Sequence, residues 1–173
     1  MIEGGIGGAS TQTGMKFEHD TDLKTALMTK KGIKIIGHQV YESEKCIGYI
    51  LQKHDLYRNF LESHNVDWQS IISKKLLPDE GYFSLTTNTL IIIEKKYQQV
   101  AGSVDEKLQT CGFKKKQYEK LCKPIKNVKV EYVYVLNDWF KDKTYRDVLE
   151  YIEEVGCRYY FNQLPYQLLG IEE

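Results

Sequence analysis

Apolar positions recur at two periods along this chain, and the switches between them mark its elements. Phe17, Leu23, Ala26 and Leu27 fall at helical spacing within residues 13–29, which predicts a first helix. Residues 33–41 and 46–51 read as two short strands, the first rich in β-branched side chains and each interrupted by one glycine, and residues 55–64 read as helical. Two apolar-bearing runs, 76–85 and 90–99, are separated by Thr86, Thr87, Asn88 and Thr89, a polar break suited to a hairpin turn. Ser103 and Glu106 make an S-x-x-E capping box that should open a helix, with Cys111 and Gly112 as a point of interruption before Tyr118 and Leu121. Residues 128–136 (VKVEYVYVL) alternate as a half-buried strand requires. Thr144 can cap a helix reaching residue 155, with Tyr145, Val148, Leu149 and Ile152 on one face and Gly156 as its stop, and residues 157–161 add a last strand. This order predicts an α/β (α+β) fold, a mixed central β-sheet flanked by helices.

Composition narrows the picture. A chain of 173 residues that is 42% hydrophobic suits one well-packed domain, expected over residues 11–173. Residues 1–10 carry four glycines between Gly4 and Gly8 and read as a flexible N-terminal tail. Lys plus Arg and Asp plus Glu both number 24, so the overall charge gives no nucleic-acid signal and any DNA-binding face must come from local clustering. Cys46, Cys111, Cys122 and Cys157 are widely spaced with no CxxC pair, which fits reduced thiols and a cytoplasmic setting. A basic stretch leading into an apolar run is missing at the N-terminus, as is an apolar segment near the ~20 residues a membrane span needs. His19, His38, His54 and His64 have no metal-ligand spacing, which argues against an HNH-type mechanism.

The chemistry concentrates on the hairpin. Pro78-Asp79 lies on one arm and Glu94-Lys95-Lys96 on the other, and strand alternation puts Glu94, Lys96 and Gln98 on one face. Lys95 points the other way, to solvent or to a separate partner. If the arms pair, Asp79 approaches Glu94, and two carboxylates at one spot are tolerated when a divalent cation sits between them on oxygen ligands. Magnesium suits that position. A lysine beside it adds positive charge near a scissile phosphate and helps position or deprotonate an attacking water. The run Leu90 to Ile93 is the kind of buried strand that holds such groups rigidly.

These residues resemble the PD-(D/E)XK nucleases, most closely small Type II restriction endonucleases. The matching stretches are Leu77-Pro78-Asp79-Glu80, Ile91-Ile92-Ile93-Glu94-Lys95-Lys96-Tyr97-Gln98 and Gly102-Ser103-Val104-Asp105-Glu106-Lys107-Leu108. The resemblance implies a restriction-endonuclease-like core, metal binding by Asp79 and Glu94, and assistance to the nucleophile by Lys96. It also implies that Glu18, in the first helix, brings a further glutamate to the metal. Magnesium is the expected cofactor, with manganese able to substitute.

The local basic cluster follows the catalytic strand. Lys107, Lys114, Lys115, Lys116, Lys120, Lys123, Lys126 and Lys129 give eight lysines in 23 residues, with Glu119 the only acid between Lys107 and Lys129. Phosphate neutralisation by such a cluster makes affinity fall steeply with salt. Gln98, Ser103, Lys107, Lys114, Lys115 and Lys116 are therefore the candidate DNA contacts. Tyr132, Tyr134, Trp139, Phe140, Tyr159, Tyr160 and Phe161 could stack on unpaired bases, but their periodicity favours core or dimer packing. The leading expectation is a homodimeric, Mg2+-dependent enzyme that cuts double-stranded DNA sequence-specifically, within a restriction-modification system whose cognate DNA methyltransferase forms no stable complex with it. The alternatives are a structure-selective or repair nuclease with the same site, and a non-catalytic DNA-binding subunit.

Overall fold

Leu90, Ile91, Ile92 and Ile93 are all fully buried, which requires a strand covered on both faces. In the computed structural model, which describes residues 7–172 and side chains from Gly14 onward, that strand lies inside a seven-stranded mixed sheet. The strands are β1 (Ile33–Ile36), β2 (Gln39–Glu42), β3 (Lys45–Ile50), β4 (Glu80–Ser84), β5 (Thr89–Lys96), β6 (Lys129–Leu136) and β7 (Arg158–Phe161). They stand in chain order: β1 to β5 form an antiparallel meander, and β6 and β7 add on parallel to β5. The β5–β6 crossover carries α3 (Val104–Leu108) and α4 (Cys111–Cys122), and the β6–β7 crossover carries α5 (Arg146–Glu154). The predicted fold class is the one observed.

Strand alternation divides the core in two. Leu90 and Ile92 of β5, with Tyr132, Tyr134 and Leu136 of β6, face a cluster that includes Leu121 of α4, Ile152 of α5 and Phe60. Ile91 and Ile93, with Val133 and Val135, face the opposite cluster, built from Leu23 and Leu27 of α2 (Leu23–Thr29) and the C-terminal Leu169 and Ile171. Tyr132, Tyr134 and Phe140 are fully buried, so these aromatics pack the core and do not stack on bases.

Several elements differ from the sequence reading. The single helix expected over residues 13–29 is two: α1 (Gly7–Asp20) ends, and Asp22 caps α2 by accepting from the Thr25 N–H at 2.7 Å. Of the expected tail, residues 1–6 lie outside the described residues, while Gly7 to Ser10 belong to α1. The run 33–41 is a hairpin, not one strand, because Gly37 turns the chain at φ 64° between β1 and β2. Residues 55–64 form a π-helical turn, Leu56–Leu61, followed by a 3-10 turn, Glu62–His64. The break between α3 and α4 falls at Gln109 and Thr110, so Cys111 and Gly112 open α4. Ser103 stands at the α3 N-cap, but its hydroxyl makes no capping bond. Thr144 lies in a 3-10 turn capped by Asp142, and α5 starts at Arg146.

Candidate active site

The β4–β5 ladder runs from Ser84 opposite Thr89 to Glu80 opposite Ile93, so the next residue, Asp79, falls beside Glu94. The Asp79 carboxylate prolongs the ladder: its Oδ2 accepts the Lys95 backbone N–H at 2.9 Å. Glu94, on the same face of β5 as Leu90 and Ile92, is 6% exposed and opens toward α4. Lys96 lies two residues further on that face. Its ammonium donates to Glu94 Oε2 at 3.1 Å and to the Lys95 carbonyl at 3.0 Å, and it stands 3.6 Å from Asp79 Oδ2. The structure thus brings Asp79, Glu94 and Lys96 together.

Electrostatics in this pocket are tightly balanced. Burial pushes the Glu94 carboxyl above the usual carboxylate range, and the nearby Asp79 charge pushes it the same way, while Lys96 and Lys114 pull it down. Lys114 reaches in from α4, with Nζ 3.9 Å from Glu94 Oε2. Sequence reasoning grouped it with the phosphate-binding lysines. The structure places it in the centre itself.

Other candidates are placed differently. Gln98 is 5% exposed and its amide nitrogen donates to the Val100 and Gly102 carbonyls at 2.9 and 3.4 Å, so it shapes the loop before α3 and presents no amide to DNA. Asn137 locks that loop to β6, donating to the Gln98 carbonyl at 2.8 Å and accepting the Gln98 N–H at 3.1 Å. The Lys115 ammonium donates to the Gly156 carbonyl at 2.6 Å, tying α4 to the turn after α5. Lys107 and Lys116 are exposed, as is Ser103. Lys107 lines a cavity of about 350 Å³ with Glu18, Lys95 and Lys96. Glu18 is exposed and also lines a second cavity, of about 470 Å³, with Asp79, Glu80 and Lys95. Among the described residues no three His, Cys, Asp or Glu side chains surround one metal position, so Glu18 is not gathered with Asp79 and Glu94 as a third carboxylate.

The Lys95 side chain is not directed to solvent. On the α2 side of the sheet it retains 6% exposure and meets Glu80, 4% exposed, at 3.1 Å. A signal was present in the sequence: if Asp79 and Glu94 share one face, alternation sends their neighbours Glu80 and Lys95 to the other face together.

Whether a divalent cation fits can be judged from the oxygens. Glu94 Oε2, the Lys95 carbonyl oxygen and Asp79 Oδ2 all lie within 3.6 Å of one point, the Lys96 ammonium. Hard oxygen donors gathered round a cation are what magnesium, manganese or calcium binds, so the residues fit.

Paired carboxylates beside lysines, at the end of a strand buried on both faces, suit hydrolysis of a phosphodiester, and the class of protein this defines is a nuclease. The family model of the PD-(D/E)XK nuclease superfamily domain matches residues 13–122, and the chain belongs to that superfamily. The matched stretch runs from within α1 to the end of α4 and holds all the site residues described above except Asn137 and Gly156; β6, α5 and β7 follow it. No curated protein and no solved structure matches. Nucleases of this superfamily generally use divalent metals. Among the described residues no helix is long and apolar enough to cross a membrane.

Proposed function

We propose that this nuclease is a Type II restriction endonuclease, hydrolysing double-stranded DNA sequence-specifically with Mg2+, for which Mn2+ can substitute. The reading is carried by the convergence of the Glu94, Asp79 and Lys95 oxygens on the point held by the Lys96 ammonium. When bound, the cation supplies Lewis-acid charge at the scissile phosphate. Asp79 and Glu94 would hold it, while Glu18 lines the cavities beside them without joining them as a third ligand. Lys96, whose ammonium lies at that point beside the carboxylates, would supply its positive charge to the phosphate and the attacking water. Lys114 adds a second positive charge from α4. Lys107, Lys116 and Ser103 contact the DNA backbone, which sets register without reading sequence. A cytoplasmic homodimer would present two such centres to a palindromic site, with a separate methyltransferase protecting host DNA.

Digestion of unmethylated phage DNA with Mg2+ or with EDTA, beside the Glu94→Ala variant, tests the reading. Discrete Mg2+-dependent bands that vanish in the variant are the expected result. Cleavage confined to branched or nicked DNA would replace restriction with a structure-selective or repair role. Absence of cleavage on every substrate would leave a non-catalytic DNA-binding subunit.

A further inference from the structure

Two charged side chains next to the catalytic carboxylates take no part in the chemistry described so far. Glu80 follows Asp79 directly, and Lys95 lies between Glu94 and Lys96, yet both project to the opposite side of the sheet. There Glu80 accepts from the Lys95 ammonium at 3.1 Å, from the Leu23 backbone N–H at 3.1 and 3.3 Å, and from the Gln52 amide at 3.3 Å. The Lys95 ammonium also donates to the Glu18 carbonyl at 3.1 Å. One buried pair therefore joins five pieces of chain: the end of α1, the start of α2, the residue after Leu51, and the catalytic ends of β4 and β5. Lys95 ties residue to residue on both sides of the strand, because its backbone N–H holds Asp79 while its side chain holds Glu80.

We infer that the Glu80 and Lys95 side chains are positioning groups: their ion pair clamps the Asp79 segment against the Glu94 segment and seats α1 over them, and so sets the affinity of the centre for its divalent cation without either side chain touching the cation, toward which Lys95 turns only its backbone carbonyl. The inference rests on the nuclease reading above. Partners one step removed from a metal typically account for about 10- to 100-fold in its affinity. Charge alone works in the opposite direction: Lys95→Met deletes a positive charge near Asp79 and Glu94, which by itself tightens cation binding. The double variant Glu80→Gln/Lys95→Met leaves the net charge unchanged and isolates the geometry.

The test is titration of the metal-free 173-residue chain with Mn2+, followed through the resonance signal of the free ion, together with cleavage as a function of metal concentration. The double variant should bind Mn2+ roughly 10- to 100-fold more weakly. Its half-saturating metal concentration for cleavage should rise by the same factor. Glu80→Asp keeps both charges and shortens only the reach, and it should shift affinity in the same direction even if the double variant does not fold. Wild-type Mn2+ affinity in a folded double variant, or in Glu80→Asp, overturns the inference. A wild-type chain that neither binds Mn2+ nor cuts DNA removes the nuclease reading and the clamp with it. A wild-type chain that does both, beside unaffected variants, removes the clamp alone.

Discussion

Removing one member of the Glu80–Lys95 pair strands the other charge between α2 and the sheet. The two side chains keep 4% and 6% of their exposure and sit 3.1 Å apart, so little solvent can take over from the missing partner. Lys95→Met leaves the Glu80 carboxylate with the Leu23 and Gln52 donors and no countercharge. Glu80→Gln leaves the ammonium facing the Glu18 carbonyl and a neutral amide. Breaking a buried pair in this way typically costs about 3–5 kcal/mol. In Glu80→Gln/Lys95→Met no charge is stranded and the glutamine can still accept the Leu23 N–H, so its cost should be on the order of 1–2 kcal/mol, set by one imperfect hydrogen bond. The singles should therefore sum to several kcal/mol more than the double. A domain of this size loses about 2–4 °C of melting temperature per kcal/mol, which puts each single variant on the order of 10 °C below wild type and the double much closer to it. Acid provides a second check. Burial already pushes the Glu80 carboxyl up against the pull of Lys95, so in Lys95→Met the stranded carboxylate takes a proton as pH falls and that variant's deficit shrinks. Urea unfolding and thermal scans of all four proteins, repeated across pH, measure these quantities. Single-variant costs under about 1 kcal/mol, or costs that simply add in the double, would refute the claim that the pair is desolvated.

Three further outcomes follow from the geometry. The Glu94 carboxyl is raised, chiefly by burial, so folding favours its protonated form. The stability cost is absent at low pH and appears as pH rises through the folded value; metal-free Glu94→Gln should melt above wild type near about pH 8, with the gap closing toward about pH 4 in thermal scans. Lys114→Met should cut the cleavage rate by roughly 100-fold at unchanged DNA affinity, whereas Lys116→Met should chiefly reduce the salt dependence of binding, by about one unit of slope in a binding titration. Gly48→Ala should destabilise by about 3 kcal/mol or more in urea unfolding, because the added Cβ would overlap the Tyr82 ring and hydroxyl and stand 2.6 Å from the Phe83 carbonyl oxygen, and backbone cannot yield as a flexible side chain can.

Much of this was legible because a strand buried on both faces leaves few options. The apolar run Leu90 to Ile93 fixed β5, the polar break at 86–89 fixed its antiparallel partner, and alternation then forced Glu94 and Lys96 to one side. What alternation does not give is the element lying against each face. Lys95 was correctly sent away from Glu94, but its burial depends on α1 and α2 crossing that side, a contact between residues 77 positions apart. Gln98 continued the catalytic row and invited a DNA-reading role, until the loop folded back and used its amide. Lys114, Lys115 and Lys116 look equivalent in sequence, yet successive helical positions point in different directions: one enters the centre, one ties down Gly156, one is exposed. The break between α1 and α2 was written locally in Asp22, whose capping role was masked by apolar spacing that runs straight through it.

The three charged residues that end β5 show how one strand separates two demands. The proposed chemistry needs carboxylates and ammonium groups that can exchange partners, and Glu94 and Lys96 lie on the side where Asp79 is 43% exposed. Positioning needs partners that do not exchange, so Lys95 lies on the side where both members of its pair are almost wholly enclosed. In front, the formal charges of Asp79 and Glu94 match those of Lys96 and Lys114; behind, Glu80 pairs with Lys95 beside the Asp22 carboxylate. In the proposed reaction a divalent cation would add two positive charges to the front, of which a phosphodiester's single negative charge offsets one, while the charge of the back pair is unchanged. That division follows from the period of two in a β-strand, and a one-residue slip of β5 would exchange the two roles and lose both.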